Sequence, residues 1–326
     1  MKILFAAPEN AWGGFLGLLR AQLPEHHFEA TGRFSIDTLK GFDVLIPTMS
    51  LVSRELLETG TQLRLIQQCG AGLEMVDLEA ARRCNIQVAN VPTDISGNAD
   101  SVAELGIYMI IGLSRDIREM SKSLAEQRMG QPQGRALKGK TVGLIGLGGI
   151  GAALVKRLKA FDVHPVGIKR SNHKEAMEKL GMDWVGGIEN LKELLSRSDF
   201  VILCLPMTPE SRNLIDHNAF SLMKKGAFLI NLSRGGIVDR DALEDALASG
   251  KIAGAGLDVF WEEPPDPNDP IFNYNVMATP HIAGSTDVSM KGIVKVVSEN
   301  IRRLEKNLKP LYLNQSMPIL KNHDYC

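Results

Sequence analysis

The sequence predicts an α/β protein built from two doubly wound parallel sheets. Short apolar runs alternate with longer amphipathic segments along most of the 326 residues, and this alternation is typical of parallel sheets covered by helices on both faces. It occurs in two blocks. They are separated by a long helical pattern and by a break rich in Gly, Pro and Gln at residues 129–139. Two such blocks predict two domains, with ligands bound at the carboxyl ends of the strands.

Four apolar runs predict the strands of the first block, which ends near residue 92. They are KILFAA, DVLIPT, LRLIQQC and IQVANV, and the segments SRELLETG and DLEAARRCN predict helices between them. Residues 101–128 then form one long helical pattern, which is apolar for several turns before it becomes charged.

Five further runs predict the strands of the second block: KTVGLIG, VHPVGIK, FVILCLP, AFLINLS and GAGLDV. Near residue 288 the chain returns to a helical pattern, SMKGIVKVVSENIRRLEK, before a short tail. No repeat of fixed short period is visible.

Bulk composition excludes several classes of protein. The apolar fraction is 44%, the charged fraction 23% and the net charge −1, so we expect neither a nucleic-acid partner nor a membrane partner. The longest apolar segment, ELGIYMIIGL, is too short to span a bilayer. Cysteines at 69, 84, 204 and 326 lack metal-ligand spacing, and the N-terminus does not resemble a signal peptide. We therefore expect no metal and a cytoplasmic location.

A glycine-rich segment, TVGLIGLGGIG, follows the first strand of the second block. Gly146, Gly148 and Gly151 form the pattern G-x-G-x-x-G between an apolar strand and a helical pattern. The first glycine permits a tight turn, the second lets the backbone approach a pyrophosphate, and the third permits close packing of helix on strand. A ligand-free turn is the alternative, but the strand–turn–helix context favours a dinucleotide site.

The next predicted strand ends in Lys169, Arg170 and Ser171, where an NAD-binding protein usually has an acid. A carboxylate would bind the ribose hydroxyls of NAD and repel a 2′-phosphate, whereas Lys and Arg attract that phosphate. These residues favour NADP, with NAD as the alternative if both cations are merely solvated.

Four polar residues follow three later strands: Arg234, then Asp258 and Glu263, then His281. An Arg can bind a carboxylate with two hydrogen bonds, a His transfers protons near neutral pH, and a Glu fixes the imidazole tautomer. Three of them have a structural alternative: a turn cap or a pair with Asp239 for Arg234, an exposed acid for Glu263, and a structural histidine for His281. Their position at consecutive strand ends beside a dinucleotide loop favours catalysis.

The chain resembles the D-isomer-specific 2-hydroxyacid dehydrogenases over nearly its whole length. The motifs that carry the resemblance are residues 69–77 (CGAGLEMVD), 98–104 (NADSVAE), 143–151 (GLIGLGGIG), 205–215 (LPMTPESRNLI), 231–243 (NLSRGGIVDRDAL), 254–265 (GAGLDVFWEEPP) and 279–284 (TPHIAG). The acid absent at position 169 departs from the commonest family pattern and resembles members that use NADP. A tryptophan that many members have before the glycine loop is also missing.

The resemblance implies a role for each matching residue. Arg234 would bind the substrate carboxylate and carbonyl oxygen, His281 would be the acid/base, and Glu263 its partner. The remaining predicted cofactor contacts are Gly146, Gly148, Gly149, Ile150, Gly151, Lys169, Arg170, Ser171, Leu205, Pro206, Thr208, Asp258 and Gly284. The predicted substrate contacts are Met49, Ser50, Gly70, Ala71 and Gly72, together with Arg234 and His281.

The resemblance also implies the domain organisation and the activity. A discontinuous flavodoxin-like substrate domain would contain residues 1–98 and 289–326, with a Rossmann-type dinucleotide domain at 99–288, and the chain would form a homodimer. The expected activity is hydride transfer between a nicotinamide cofactor and a small D-2-hydroxy or 2-oxo acid, such as glyoxylate or hydroxypyruvate. The alternatives are a dinucleotide-sensing interaction protein similar to the family's corepressors, and an inert scaffold.

Overall fold

A computed structural model describes residues 1–314, so Cys326 lies outside the described residues. The chain divides into two compact units. Unit 1 contains Met1–Asn98 and the segment that begins at Ser285, and unit 2 is Ala99–Gly284.

Twelve strands are present among the described residues. They are β1 (Lys2–Phe5), β2 (His27–Ala30), β3 (Val44–Ile46), β4 (Leu65–Gln67), β5 (Gln87–Ala89), β6 (Thr141–Ile145), β7 (His164–Ile168), β8 (Trp184–Gly186), β9 (Phe200–Leu203), β10 (Ala227–Asn231), β11 (Ile252–Leu257) and β12 (Val276–Ala278).

Eleven α-helices accompany the strands within residues 1–314. They are α1 (Ala11–Gln22), α2 (Arg54–Glu58), α3 (Leu78–Arg83), α4 (Asn98–Arg115), α5 (Ile117–Ala125), α6 (Gly149–Leu158), α7 (His173–Leu180), α8 (Leu191–Arg197), α9 (His217–Leu222), α10 (Arg240–Ala248) and α11 (Asp287–Glu305).

Unit 1 is built on a five-stranded sheet with the order β2-β1-β3-β4-β5, in which every pair is parallel. This is the flavodoxin-like strand order, and its direction reverses between β1 and β3. Helices α1 and α11 pack against each other and bury Phe15, Leu19, Val297 and Ile301 in one core. The return of the chain to unit 1 through α11 therefore completes that face of the sheet.

Unit 2 has a seven-stranded parallel sheet with the order β12-β11-β10-β9-β6-β7-β8. This is the Rossmann order, in which the direction reverses between β6 and β9. The strands are buried on both faces, which explains their nearly continuous apolar sequences. The predicted fold class, two doubly wound α/β domains, is confirmed.

Two details differ from the sequence-based expectations. The helical pattern at residues 101–128 is two helices rather than one, because Asp116 adopts a left-handed conformation (φ 52°) and its side chain caps α5 by accepting a hydrogen bond from the N–H of Glu119. The edge strands β2 and β8 were not predicted, since HFEA is short and has an exposed histidine at its start, and WVG has only three residues. Across residues 1–314, no helix has both the length and the apolar character needed to cross a membrane.

Candidate active site

The site lies at the carboxyl ends of three neighbouring strands of unit 2. Arg234 follows β10, Asp258 and Glu263 follow β11, and His281 follows β12. Because these strands are parallel and adjacent, their carboxyl ends meet at one edge of the sheet. The fold therefore gathers side chains that are far apart in the sequence, as the strand-end pattern predicted.

The side chains of His281 and Glu263 form a hydrogen-bonded pair. His281 Nδ1 lies 2.8 Å from Oε2 of Glu263, and the other carboxylate oxygen accepts the N–H of Phe260 at 3.0 Å. With Nδ1 facing the carboxylate, Nε2 is the ring nitrogen available to a substrate. His281 has a positive φ of 53°, a conformation that is uncommon outside glycine and is concentrated at functional sites.

The pKa of Glu263 is lowered from its ordinary value by its surroundings. Burial is the largest single influence and pushes this pKa up, but the hydrogen bond and charge of His281, the N–H of Phe260 and the charge of Arg234 together outweigh burial. Glu263 is therefore ionised at neutral pH. A partly buried carboxylate on Nδ1 stabilises a positive charge on the imidazole.

Arg234 is held by the polar residues that end β10. The buried side chain of Asn231 donates from Nδ2 to the carbonyl oxygen of Arg234 at 2.9 Å and accepts the N–H of Ser233 at 3.0 Å. Arg234 Nη1 donates to the Ser233 carbonyl at 2.7 Å. These contacts fix the main chain from which the guanidinium projects, while the side chain stays partly exposed.

Gly235 brings the loop that carries Arg234 against the loop that carries Glu263. A Cβ at this position would lie 2.0 Å from the carbonyl carbon and oxygen of Phe260. Only a residue without a side chain permits this approach, so the close contact of the two loops depends on glycine at 235.

Asp258 organises the segment that contains His281. Its Oδ1 accepts the Thr279 hydroxyl at 2.6 Å and the Ile282 N–H at 2.9 Å, and its Oδ2 accepts the Ala283 N–H at 3.0 Å. Burial raises the pKa of Asp258, and these three donors oppose that effect only partly. The carboxylate therefore holds the main chain directly after the histidine, and holds the segment before it through the Thr279 side chain.

The glycine loop has the geometry that a dinucleotide requires. Gly146 has a φ of 101°, and a Cβ at Gly151 would lie 2.3 Å from the Gly146 carbonyl oxygen. Gly148 has no atom within 4 Å of its Cβ position, and it precedes the first turn of α6, formed by Gly149, Ile150 and Gly151. The N–H groups of that turn and the open space at Gly148 fit a pyrophosphate.

Lys169, Arg170 and Ser171 follow β7 directly, and the last two are exposed. The main chain of Lys169 is fixed by its N–H, which donates to Gly186 at 3.0 Å, and its carbonyl oxygen lies 2.8 Å from His173 Nε2. A hydrogen bond with the Thr208 side chain is the largest influence that lowers the pKa of exposed Glu210, and the charge of Arg170 is a smaller one. Glu210 lies in the loop after β9, so this loop shares the electrostatic environment of Arg170.

The other predicted cofactor contacts occupy loops at the same sheet edge. Leu205, Pro206 and Thr208 follow β9, in a turn where Ser211 Oγ donates to the Pro206 carbonyl and accepts the Thr208 N–H at 2.7 Å. Gly284 follows Ala283 at the end of the segment held by Asp258. Their contacts with a cofactor stay predictions.

The predicted substrate contacts of unit 1 lie at the carboxyl ends of its own strands. Met49 and Ser50 follow β3, while Gly70, Ala71 and Gly72 follow β4. Ser50 is 1% exposed, and its hydroxyl donates to the Ala6 carbonyl at 3.2 Å. Its side chain therefore supports the loop. Gly70 and Ala71 are exposed, and the role of all five stays a prediction.

Two residues that sequence reasoning did not select support this site. Asn231 positions the main chain at Arg234, and Thr279 completes the hydrogen bonds of Asp258. Both are polar residues at strand ends, in the motifs NLSRGG and TPHIAG. A polar residue ending an apolar strand was the only available signal, and their partners become visible only in the folded chain.

A Rossmann sheet with this glycine loop and a His–Glu pair beside an Arg is typical of dinucleotide-dependent oxidoreductases. Comparison with known proteins agrees. Residues 107–283, more than half of the chain, match the model described as "D-isomer specific 2-hydroxyacid dehydrogenase, NAD binding domain". The chain belongs to this family, as its motifs predicted, and its cofactor is a nicotinamide dinucleotide.

Individual relatives support the same assignment. The chain is 37% identical to D-3-phosphoglycerate dehydrogenase of Methanocaldococcus jannaschii over 82% of its own length, and spans about half (51%) of that relative. It is 35% identical to glyoxylate reductase of Thermococcus litoralis, with 84% of each chain covered. D-lactate dehydrogenase of Aquifex aeolicus, solved with NAD and lactic acid, is structurally similar with a TM-score of 0.82 at 26% identity, covering 94% of this chain and 96% of that one.

Proposed function

We propose that the protein reduces a small 2-oxo acid, such as glyoxylate or hydroxypyruvate, to the D-2-hydroxy acid, or catalyses the reverse reaction. The observation that carries this proposal is the 2.8 Å pair between His281 and Glu263, in a site where the charge of Arg234 also acts on Glu263. A proton donor and a carboxylate-binding cation at the carboxyl edge of a dinucleotide-binding sheet are what this reaction needs.

The geometry supports a role for each side chain. The nicotinamide supplies or accepts the hydride when it is bound. In reduction, His281 donates its Nε2 proton to the substrate carbonyl oxygen, and Glu263 stabilises the imidazolium beforehand. Arg234 binds the carboxylate and stabilises negative charge that develops on the carbonyl oxygen. Asp258 acts as a positioning residue, because its contacts are with the main chain at Ile282 and Ala283.

A panel of 2-oxo acids assayed with NADPH and NADH tests the activity. We expect turnover on at least one short 2-oxo acid and a loss of about 10²–10⁴-fold in kcat/KM for His281→Ala. His217→Ala is the matched control, because His217 pairs with the carboxylate of Asp245 at 3.0 Å on the exposed surface of the same unit. Near-normal turnover in His281→Ala would refute the proposed role. Dinucleotide binding without turnover on any acid would instead favour a sensing protein.

We further propose that Lys169, Arg170 and Ser171 recognise the 2′-phosphate of NADP. Lys169 and Arg170 place positive charge directly after β7, where a ribose-binding acid is expected in an NAD site. Exposed Arg170 and Ser171 are accessible to a phosphate.

The ratio of kcat/KM with NADPH to that with NADH measures the preference. We expect the ratio to exceed 1 in the natural chain and to fall at least tenfold in Lys169→Asp with Arg170→Ala. Lys192→Asp, a charge reversal on exposed α8, should leave the ratio unchanged. A natural preference for NADH, or an unchanged ratio in the double variant, overturns this part of the proposal.

We also propose the roles of the two units, with unit 2 as the dinucleotide domain and unit 1 as the substrate domain.

We further propose that the protein forms a homodimer and acts in a reducing compartment such as the cytoplasm. Helices α4 and α5 expose four apolar side chains that a second copy could cover: Tyr108, Ile111, Met120 and Leu124. Light scattering should give the mass of a dimer for the natural chain and the mass of a monomer for the double variant Tyr108→Glu with Leu124→Glu. The described cysteines are free thiols, which suits a reducing compartment.

A further inference from the structure

A second cluster of potential ligand groups lies in unit 1, away from the sequence motifs described above. Glu25, His26 and Glu305 each offer one ligand atom, and the three atoms lie within 4.8 Å of one another. Glu25 and His26 form the turn between α1 and β2, whereas Glu305 is the last residue of α11. No sequence spacing could have predicted the group, because Glu305 is distant along the chain from the adjacent residues Glu25 and His26.

The histidine at the centre of this cluster is buried and lacks a hydrogen-bond partner at one ring nitrogen. His26 is 8% exposed as a residue, and its side chain only 1%. Its Nε2 has no hydrogen bond, although a buried polar atom normally has one. This nitrogen lies 3.9 Å from a Glu25 carboxylate oxygen and 4.0 Å from one of Glu305. The unpartnered atom therefore faces both carboxylates.

These distances are too long for a direct ion pair and close to those between ligands of a shared metal ion. An imidazolium paired with a carboxylate would approach it to about 2.7–2.9 Å, and here both oxygens stand about 1 Å farther away. With metal–ligand bonds of about 2.1 Å, two ligand atoms on one ion lie roughly 3–4 Å apart. Two carboxylates this close to each other also repel, and a cation between them removes that repulsion.

The elements that carry the three groups are fixed before any ion binds. Leu23 and Leu304 are buried in the same core. Arg302 donates from Nη2 to the Gln22 carbonyl at 2.7 Å, which joins the last turn of α11 to the end of α1. The N–H groups of His26 and His27 donate to Leu23 and Met1. Only the exposed carboxylates must rotate to bind an ion.

We propose that Glu25, His26 and Glu305 form a binding site for a divalent transition metal, of which Zn²⁺ is the best match. One imidazole and two carboxylates are ligands that Zn²⁺ accepts, with water at the open position. The ion ties the turn before β2 to the end of α11, and so joins the two chain segments of unit 1. It stabilises the folded unit because the ligands come together only there.

Titration of chelator-treated, untagged, full-length protein with ZnCl₂ tests the proposal. The assay is run at pH 8, because ligands must lose protons to bind a metal, and Nδ1 of His26 lies 3.5 Å from the Met1 amino nitrogen. We expect the natural chain to bind one equivalent of zinc, with an affinity that falls at least tenfold in His26→Gln. We also expect zinc to raise the Tm of the natural chain but not that of His26→Gln. His27→Gln is the matched control, because His27 is 68% exposed and pairs with Glu29 instead.

A second variant keeps the test decisive if His26→Gln does not fold. Glu25→Gln with Glu305→Gln alters two side chains that are about half exposed, so folding should persist while zinc affinity falls at least tenfold. Zinc bound equally well by this variant and by the natural chain would be adventitious, and the proposal would be wrong. The readout is metal binding, so its result is independent of the dehydrogenase assays.

Discussion

The Thr279 hydroxyl donates a 2.6 Å hydrogen bond to Asp258, and through this contact the end of β12 is joined to the end of β11. The same carboxylate accepts the N–H groups of Ile282 and Ala283. His281 lies between Thr279 and Ile282, so one buried acid contacts a side chain before the histidine and the main chain after it. The position of His281, the proposed proton donor, thus depends on a residue that need not touch the substrate.

Asp258→Asn tests this positioning role. The amide keeps one acceptor oxygen but turns an NH₂ group toward a main-chain N–H, so the His281 segment should shift. Because burial raises the pKa of Asp258, losing the charge also removes a cost. We therefore expect a modest loss of stability, about 1–2 kcal/mol, and a larger loss of kcat, about 10–100-fold. Urea unfolding and steady-state kinetics measure the two effects.

Variants of Thr279 alter the hydrogen bond to Asp258 without changing the charge of that carboxylate. Thr279→Ser keeps the hydroxyl and should retain most of the activity, whereas Thr279→Val should lose part of it. Nicotinamide cofactor affinity, measured by fluorescence titration, should change less than kcat in each case. If Asp258→Asn weakened only cofactor binding, Asp258 would be a cofactor contact and not a positioning residue.

Glu263→Gln tests the partner of the histidine through pH dependence. The neutral amide stabilises an imidazolium less well, so in the reductive direction the rate should begin to fall at a lower pH than in the natural enzyme. At neutral pH, kcat should fall about 10–100-fold. Asp245→Asn, which alters the exposed pair with His217, should leave the pH–rate profile unchanged.

The pH dependence of stability is an independent test of the ionised state of Glu263. The folded pKa of Glu263 is lowered, so its ionised form adds stability above the ordinary Glu pKa of 4.5, and this stability is lost as pH falls through the lowered value. The difference in unfolding free energy between the natural chain and Glu263→Gln should therefore shrink on going from pH 7 to below pH 4. A difference that grew toward acid pH would contradict the assigned ion pair.

Two glycines of the dinucleotide loop should respond differently to alanine. A methyl group at 151 would lie 2.3 Å from the Gly146 carbonyl oxygen, whereas at 148 it meets nothing within 4 Å. Gly151→Ala should cost about 1–3 kcal/mol of stability. Gly148→Ala should fold normally yet bind the dinucleotide at least tenfold more weakly, because its methyl group occupies the space open to the pyrophosphate.

Thermal unfolding with and without dinucleotide distinguishes these outcomes. Gly17→Ala is the control, since Gly17 also has an open Cβ position but lies in α1 of unit 1. Unaltered dinucleotide affinity in Gly148→Ala would show that the cofactor does not approach this part of the loop.

Arg234→Lys tests whether a bidentate carboxylate contact is required. Lysine keeps the charge but cannot form two parallel hydrogen bonds, so kcat/KM for the 2-oxo acid should fall roughly 10²-fold while dinucleotide affinity stays the same. Arg197→Lys, on exposed α8, is the matched substitution. Equal activity of Arg234→Lys and the natural enzyme would rule out a bidentate role.

The sequence predicted the fold and the principal side chains because both follow from periodic patterns. In parallel strands, residues after each apolar run must meet at one edge, so Arg234, Glu263 and His281 could be grouped without coordinates. The break at Asp116 was not predictable, because the apolar pattern continues across it and only a left-handed backbone reveals the end of α4. The cluster at His26 was not predictable from the sequence for another reason, because only tertiary packing brings α11 to the turn before β2.

The edge position of β12 has a consequence for how the enzyme loses function. This strand has three residues and pairs only with β11, so few main-chain hydrogen bonds retain it. Short edge elements open at lower free energy than the centre of a sheet. Mild denaturant should therefore release the strand next to His281, the proposed proton donor, while the central strands remain protected from amide exchange, and inactivation should precede global unfolding.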